Sequence, residues 1–449
     1  MTILQIISMG FIIGFLLIYL YVYIRFDKKI TLPIILCMWW ILWLAIANYS
    51  LTGVTVPSLH TQLLVYLMAT GFLLGNIGAI IFYSKNLAPK PNRQTIGHLK
   101  IGLKFVQVSN AIISPIVIFF LILSIYLLTK HNINDYRVLV FSTKTHPSIL
   151  FHSGKIELLY SLIISPILLT NLFIIFANLR SYRSHKWVFI STITLNVFDA
   201  VMRLGRFNMY FMIILFLSSL YISYLDGFRK KLKFIPFILL LGFIIFQVGS
   251  IRNSKDTTLK NQVSTYLIDY HTMGFAIFDS KLTNPNSRLN HTISWGRGVI
   301  GGIDQLIGLV ARKIGFQNYI TPVQETALKM TQATNIGTNL NGSPKKYNAF
   351  YTVLYTLYLD GREFFVFLVP FLFGTLFMKY YHYWTISKSP VHLSILLSFI
   401  YVVIFSIFQS PIETPIFWIS LIYLNSLGTK FRNGHFFHNL IQYTPLYKK

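Results

Sequence analysis

Residues 347–363, YNAFYTVLYTLYLDGRE, decide how often the chain is read as crossing a membrane. A spanning helix needs about 20 apolar residues, and the run from Tyr347 to Asp360 is too short for one. Counting it as a span would also carry the basic C-terminal tail to the other side, against the preference for Lys and Arg inside. The stretch therefore reads as a re-entrant or interfacial aromatic helix over 347–363. In it Tyr347, Tyr351, Tyr355 and Tyr358 would form one stripe at helical spacing.

Working outward, the chain has 449 residues, 54% hydrophobic and only 12% charged. Its mean hydropathy is +0.59, the composition of a polytopic membrane protein. Apolar runs near 3–24, 30–51, 61–83, 105–129, 158–178, 187–205, 207–225, 234–250, 364–384, 391–409 and 412–428 predict an all-α fold of about eleven transmembrane helices. Residues 1–24 have neither a basic start nor a small-residue cleavage site, so they are expected to be a permanent first span. Basic residues fall in alternate connections, RFDKK, 84–104, NLRSYRSHK, DGFRKKLK and the tail 429–449, which places those inside. The expected organisation is a membrane domain over 1–250 with an outer loop at 130–157, a large outer helical lid over 251–346, the aromatic helix 347–363, and C-terminal spans over 364–428.

The net charge of +26 punctuates apolar spans, so it writes topology and does not point to nucleic acid. The one cysteine, Cys37, excludes an intrachain disulfide. Phosphate-loop, HExxH, CxxC and GxSxG motifs are absent from the sequence, and the histidines form no convincing metal-ligand set. Residues 251–346 carry eleven Lys and Arg against five acids, a basic surface that would concentrate anions. Their patterns predict helices, with Val299, Ile303, Leu306 and Val310 on one face, and TPVQ as a capping box at 321–324.

Three places could carry chemistry. In FDAVMRLGRFNMYF, Arg203 and Arg206 stand at the outer end of two spans, and Asp199 lies one turn before Arg203. Arginine there is read either as snorkelling to headgroups or as a planar fork for pyrophosphate. In HTISWGRG, His291 would act as base or orienting group while Arg297 steadies phosphate; Arg252, Arg288, Arg312 and His271 are further candidates. In SPIETP, Glu413 stands between two prolines that would fix its position.

YNAFYTVLYTLYLDGREFF followed by VFLVPFLFGTLFMKYYHYW resembles the C-terminal signature of bacterial oligosaccharide repeat-unit polymerases, the O-antigen polymerase (Wzy) family. The matching positions are Tyr347, Asn348, Tyr351, Thr352, Asp360, Gly361, Pro370 and Gly374. MRLGRFNMYF is similar to the arginine-bearing span start shared with O-antigen ligases. The resemblance implies a glycosyltransferase of the bacterial inner membrane, with its active site facing the periplasm and no cofactor or metal. It would polymerise oligosaccharides linked to undecaprenyl pyrophosphate, alongside a chain-length regulator and a flippase, with no nucleic acid partner. Donor pyrophosphate would fall to Arg203, Arg206, Arg288 and Arg297, and the base to His291, Glu413 or Asp360. Tyr347, Tyr351 and Tyr355 would contact sugar. An O-antigen ligase acting on lipid A core is the alternative within the same fold. A lipid-linked oligosaccharide flippase is the non-enzymatic rival.

Overall fold

In the computed structural model, Gly361 and Arg362 break one long helix in two, their backbones leaving helical geometry at φ −176° and +56°. The structure describes residues 31–86, 95–140, 148–223, 263–330, 333–339, 342–347 and 351–433, and four positions before residue 18. The expected spans 3–24 and 234–250, most of the basic connections, Arg252, Asn348 and the end of the tail lie outside the described residues, apart from those four positions.

The described chain is mostly helical. In order, α1 is Thr31–Asn48, α2 Leu59–Asn86, α3 Thr95–Lys130, α4 Gly154–Ala177, α5 Lys186–Met202, α6 Arg206–Ser223, α7 Tyr270–Thr283, α8 Gly301–Lys313, α9 Pro322–Met330, α10 Val353–Ser387, α11 Pro390–Phe405 and α12 Pro415–Asn433. Among the described residues five helices, α1, α2, α3, α4 and α10, are long and apolar enough to cross a membrane. Shorter apolar helices occupy 208–223, 390–405 and 415–427.

The described residues fall into two units. The first draws on Met1–Ala88, Asn253–His382 and Phe399–Phe417, the second on Pro89–Arg252, Tyr383–Ser398 and Trp418–Lys449. In the first unit, α2 meets α10 at glycines. A Cβ on Gly71 or Gly75 would run into the α10 backbone at Phe367 or Phe371, and one on Gly374 into the α2 backbone at Phe72. Small residues at this spacing let two apolar helices approach closely. In the second unit a buried polar network ties α3, α4 and α5. Asn110 Nδ2 donates to Thr192 Oγ1 at 2.8 Å and Asn171 Nδ2 to Asn110 Oδ1 at 2.9 Å.

Four expectations change. First, residues 351–360 are buried throughout, so the aromatic stretch is interior helix and not a surface-lying one. The helix starts only at Val353, leaving Tyr351 just before it and Tyr347 at the end of a strand, so the four tyrosines do not form one helical stripe. Second, the segment 251–346 is not simply a lid, because α7 is core of the first unit. Its Met273, Phe275 and Phe278 are fully buried, and Phe275 meets α1 edge-on at Trp40. Third, that segment contains a two-stranded antiparallel hairpin, β1 Thr334–Thr338 and β2 Pro344–Tyr347. Gly342 N–H closes back on the Asn339 carbonyl at 2.9 Å, and Thr338 N–H donates to the Gly53 carbonyl at 2.9 Å. Fourth, α8 turns its small and polar side inward, burying Gly301, Asp304, Gly308 and Ala311.

Candidate functional site

The break in α10 is held open by Asp360. Its carboxylate is fully buried and accepts hydrogen bonds from Ser294 Oγ, from Gly298 N–H at 2.9 Å and from Val299 N–H at 2.6 Å. Trp295 N–H donates to the Asp360 carbonyl at 3.1 Å. One residue thus fixes the HTISWGRG loop, in which Trp295 and Gly296 both take left-handed backbones, φ +54° and +85°. Gly298 must be glycine here, since a Cβ would meet the Asp360 carboxylate at 2.9 Å. A carboxylate so fully occupied suits an anchor better than a proton acceptor.

Arg362, which the sequence reading passed over, follows directly. Its φ of +56° with ψ −146° lies in a region that side-chain-bearing residues rarely adopt, at a cost of about 1–3 kcal/mol. The guanidinium stacks 5.1 Å from the Tyr358 ring, donates to the Thr292 carbonyl at 3.2 Å, and keeps one buried Nη without an acceptor.

Glu413 occupies the short turn Pro411–Glu413 between α11 and α12, fully buried. Tyr351 donates to Oε2 at 2.9 Å and Thr356 Oγ1 donates to Oε1. Burial pushes its carboxyl up to about 7, against the pull of these two hydroxyls, and the nearby Asp360 charge adds to the rise. Glu413 is therefore a group that can carry or release a proton near neutrality. Burial and the Glu413 charge push the Tyr351 phenol upward too, so it stays a donor. Tyr355 is buried, and Tyr347 donates to Asp269 Oδ2 at 3.1 Å beside a buried Lys345–Asp269 ion pair of 2.7 Å.

The first unit's other arginines are paired. Arg288 meets Glu325 at 2.8 Å and the Pro322 carbonyl at 3.3 Å. Arg297 meets Asp304 at 3.1 Å, and Tyr319 donates to the same carboxylate at 2.5 Å. Arg312 donates to the Tyr319 carbonyl at 3.1 Å. His291 is exposed, with Nε2 2.6 Å from the Pro285 carbonyl, a contact that only an N–H makes. His271 is buried against Trp43, stacked at 3.9 Å, and Phe408; burial drives its pKa down to about 3, so it is neutral.

Arg203 belongs to the second unit and ends α5 as its C-cap, where the helix dipole favours a cation. Phe151 and Tyr160 place their rings 5.4 and 5.1 Å from the guanidinium carbon. A π-helical turn at Tyr160–Ile164 within α4 brings in the Tyr160 hydroxyl, which donates to Asp199 Oδ1 at 2.9 Å. Asp199 is 3.6 Å from Arg203 Nε, beyond hydrogen-bond range, and Nε and one Nη of Arg203 are buried with no acceptor. Tyr136 donates to the Met202 carbonyl at 2.6 Å and pins the helix end. Leu204 then turns left-handed, φ +51°, and α6 begins at Arg206, whose side chain lies outside the described residues.

The structure thus gathers Asp360, Arg362, Glu413, Tyr351, Arg288 and Arg297 into the first unit, and Arg203 with Asp199 into the second. Among the described residues no group of three or more His, Cys, Asp and Glu could hold a metal ion. Comparison of the chain with protein-family models, with curated proteins and with solved structures finds no match in any of the three.

Proposed function

We propose that the chain is a membrane-embedded glycosyltransferase that extends a lipid-linked glycan at the outer membrane face. The growing chain leaves undecaprenyl pyrophosphate and passes to the next lipid-linked repeat unit. A hydroxyl of that unit attacks the anomeric carbon, the bond from that carbon to pyrophosphate oxygen breaks, and the hydroxyl proton passes to a base. The observation that carries the reading is Arg203, a guanidinium positioned by two rings and a helix end with donors left unsatisfied. Charge-assisted contacts to a departing pyrophosphate would satisfy them and would strengthen as its charge develops. The resemblance of 347–384 to the repeat-unit polymerases supports the same reaction. With it goes the eleven-span arrangement, 251–346 lying outside. Purified protein in vesicles, given lipid-linked repeat units and no lipid A core, should yield a ladder of longer lipid-linked glycans. Transfer only when core acceptor is added would assign it to the ligases.

A further inference from the structure

Helix α8 is amphipathic in the reverse sense for a protein bathed in water. Asp304 and the small residues point inward, while Ile307, Val310 and Ile314 stand at 50, 60 and 69% exposure. With Ile300 they recur at steps of three, four and seven along one face, and Phe316 extends the surface. Trp295, 77% exposed, is held out on its left-handed backbone by the Asp360 anchor. Isolated exposed apolar side chains are ordinary, but a continuous stripe is not. The acid that would normally face water, Asp304, is instead turned in and bound by Arg297 and Tyr319.

We infer that α8 lies in the plane of the bilayer interface, its Ile307–Val310–Ile314 stripe among acyl chains and its flanking cations on anionic lipid headgroups. The charge pattern selects this occupant. Residues 293–320 carry one acid, buried Asp304, which Arg297 already pairs; that leaves the cations Arg312 and Lys313. A second copy of the chain docked on this face by two-fold symmetry would set these cations against each other with no acid to pair them. Anionic headgroups would pair them, and an exposed tryptophan suits the same depth. Short amphipathic helices with apolar and basic faces settle about 5–10 Å into the headgroup and acyl boundary. The inference stands whatever reaction the protein performs.

The test uses the full chain in nanodiscs of anionic phospholipid, with Cys37→Ala removing the one native thiol and a nitroxide attached at Val310→Cys or at Lys313→Cys. The label at 310 should collide with oxygen and be shielded from a water-soluble nickel chelate, at about 5–10 Å depth. The label at 313 should show the opposite. Equal chelate access at both positions would make α8 a water-exposed lid and overturn the inference. Shielding of 310 from both reagents would mean a protein cover, and dipolar broadening would identify it as a second copy. Adding Ile307→Asp to the Val310→Cys chain should raise chelate access at 310 at unchanged melting temperature; unchanged access there would also count against the inference.

Discussion

Arg288 and Arg297 of the first unit and Arg203 of the second are held in opposite ways. In the first, Arg288 and Arg297 sit on carboxylates at 2.8 and 3.1 Å and join α9 and α8 to their neighbours. In the second, Arg203 leans on two aromatic rings, its nearest carboxylate oxygen is 3.6 Å away, and buried donors remain unsatisfied. A guanidinium already on a carboxylate is a structural clamp. One held in position with donors unmatched is prepared for an anion that arrives later. The difference teaches that placement in a basic segment does not mark a ligand-binding arginine, whereas its hydrogen-bond inventory does.

The largest expected loss of stability belongs to the first unit's anchor. Asp360→Ala strands the donors of Ser294, Gly298 and Val299 in a buried site, at a cost of about 3–5 kcal/mol. Thermal unfolding in detergent should fall accordingly, and a melting temperature equal to wild type would break the idea that Asp360 is a structural anchor. Next comes Glu413. Because its folded pKa is raised, the protonated form is the stable one: its contribution is full below about 4.5 and is lost as pH rises through about 7. Glu413→Gln should therefore flatten the decline in melting temperature across that window, and parallel slopes in the two proteins would refute the assignment. Smaller still, Arg297→Ala should cost about 1 kcal/mol or less in chemical denaturation, since the guanidinium is partly exposed. A loss of glycan elongation as deep as that from changing Arg203 would erase the contrast between these two arginines.

Much of the fold could be read from apolar run lengths, because a bilayer demands about 20 such residues wherever it is crossed. The nine expected spans that fall on described residues overlap helices, five of which are long and apolar enough to cross a membrane. What could not be read was the direction in which the rest faces. The pattern of α8 put Val299, Ile303, Leu306 and Val310 on one face, but the exposed apolar side chains are Ile300, Ile307, Val310 and Ile314, with Asp304 and the small residues turned inward. The tyrosines of 347–358 follow helical spacing, yet Tyr347 ends a strand and the helix starts only at Val353, so spacing alone misplaced Tyr347 and Tyr351. Asp360 and Glu413 were singled out as residues; both are fully buried, and it is their partners, backbone N–H groups for Asp360 and two hydroxyls for Glu413, that set them apart. Arg362 was invisible because its signal is a backbone angle, which no local sequence pattern encodes. The pairing of Arg288 with Glu325 spans 37 positions and was equally out of reach.

The most direct test of Arg203 is Arg203→Lys in proteoliposomes supplied with lipid-linked repeat units. Lysine keeps the charge beside Asp199 and the two rings, so the melting temperature should stay near that of wild type. It cannot offer the paired donors, and losing about 1.5–3 kcal/mol of charge-assisted bonding to the leaving group should slow elongation by roughly 10- to 100-fold. A folded Arg203→Lys protein that builds glycan at the wild-type rate would contradict the account.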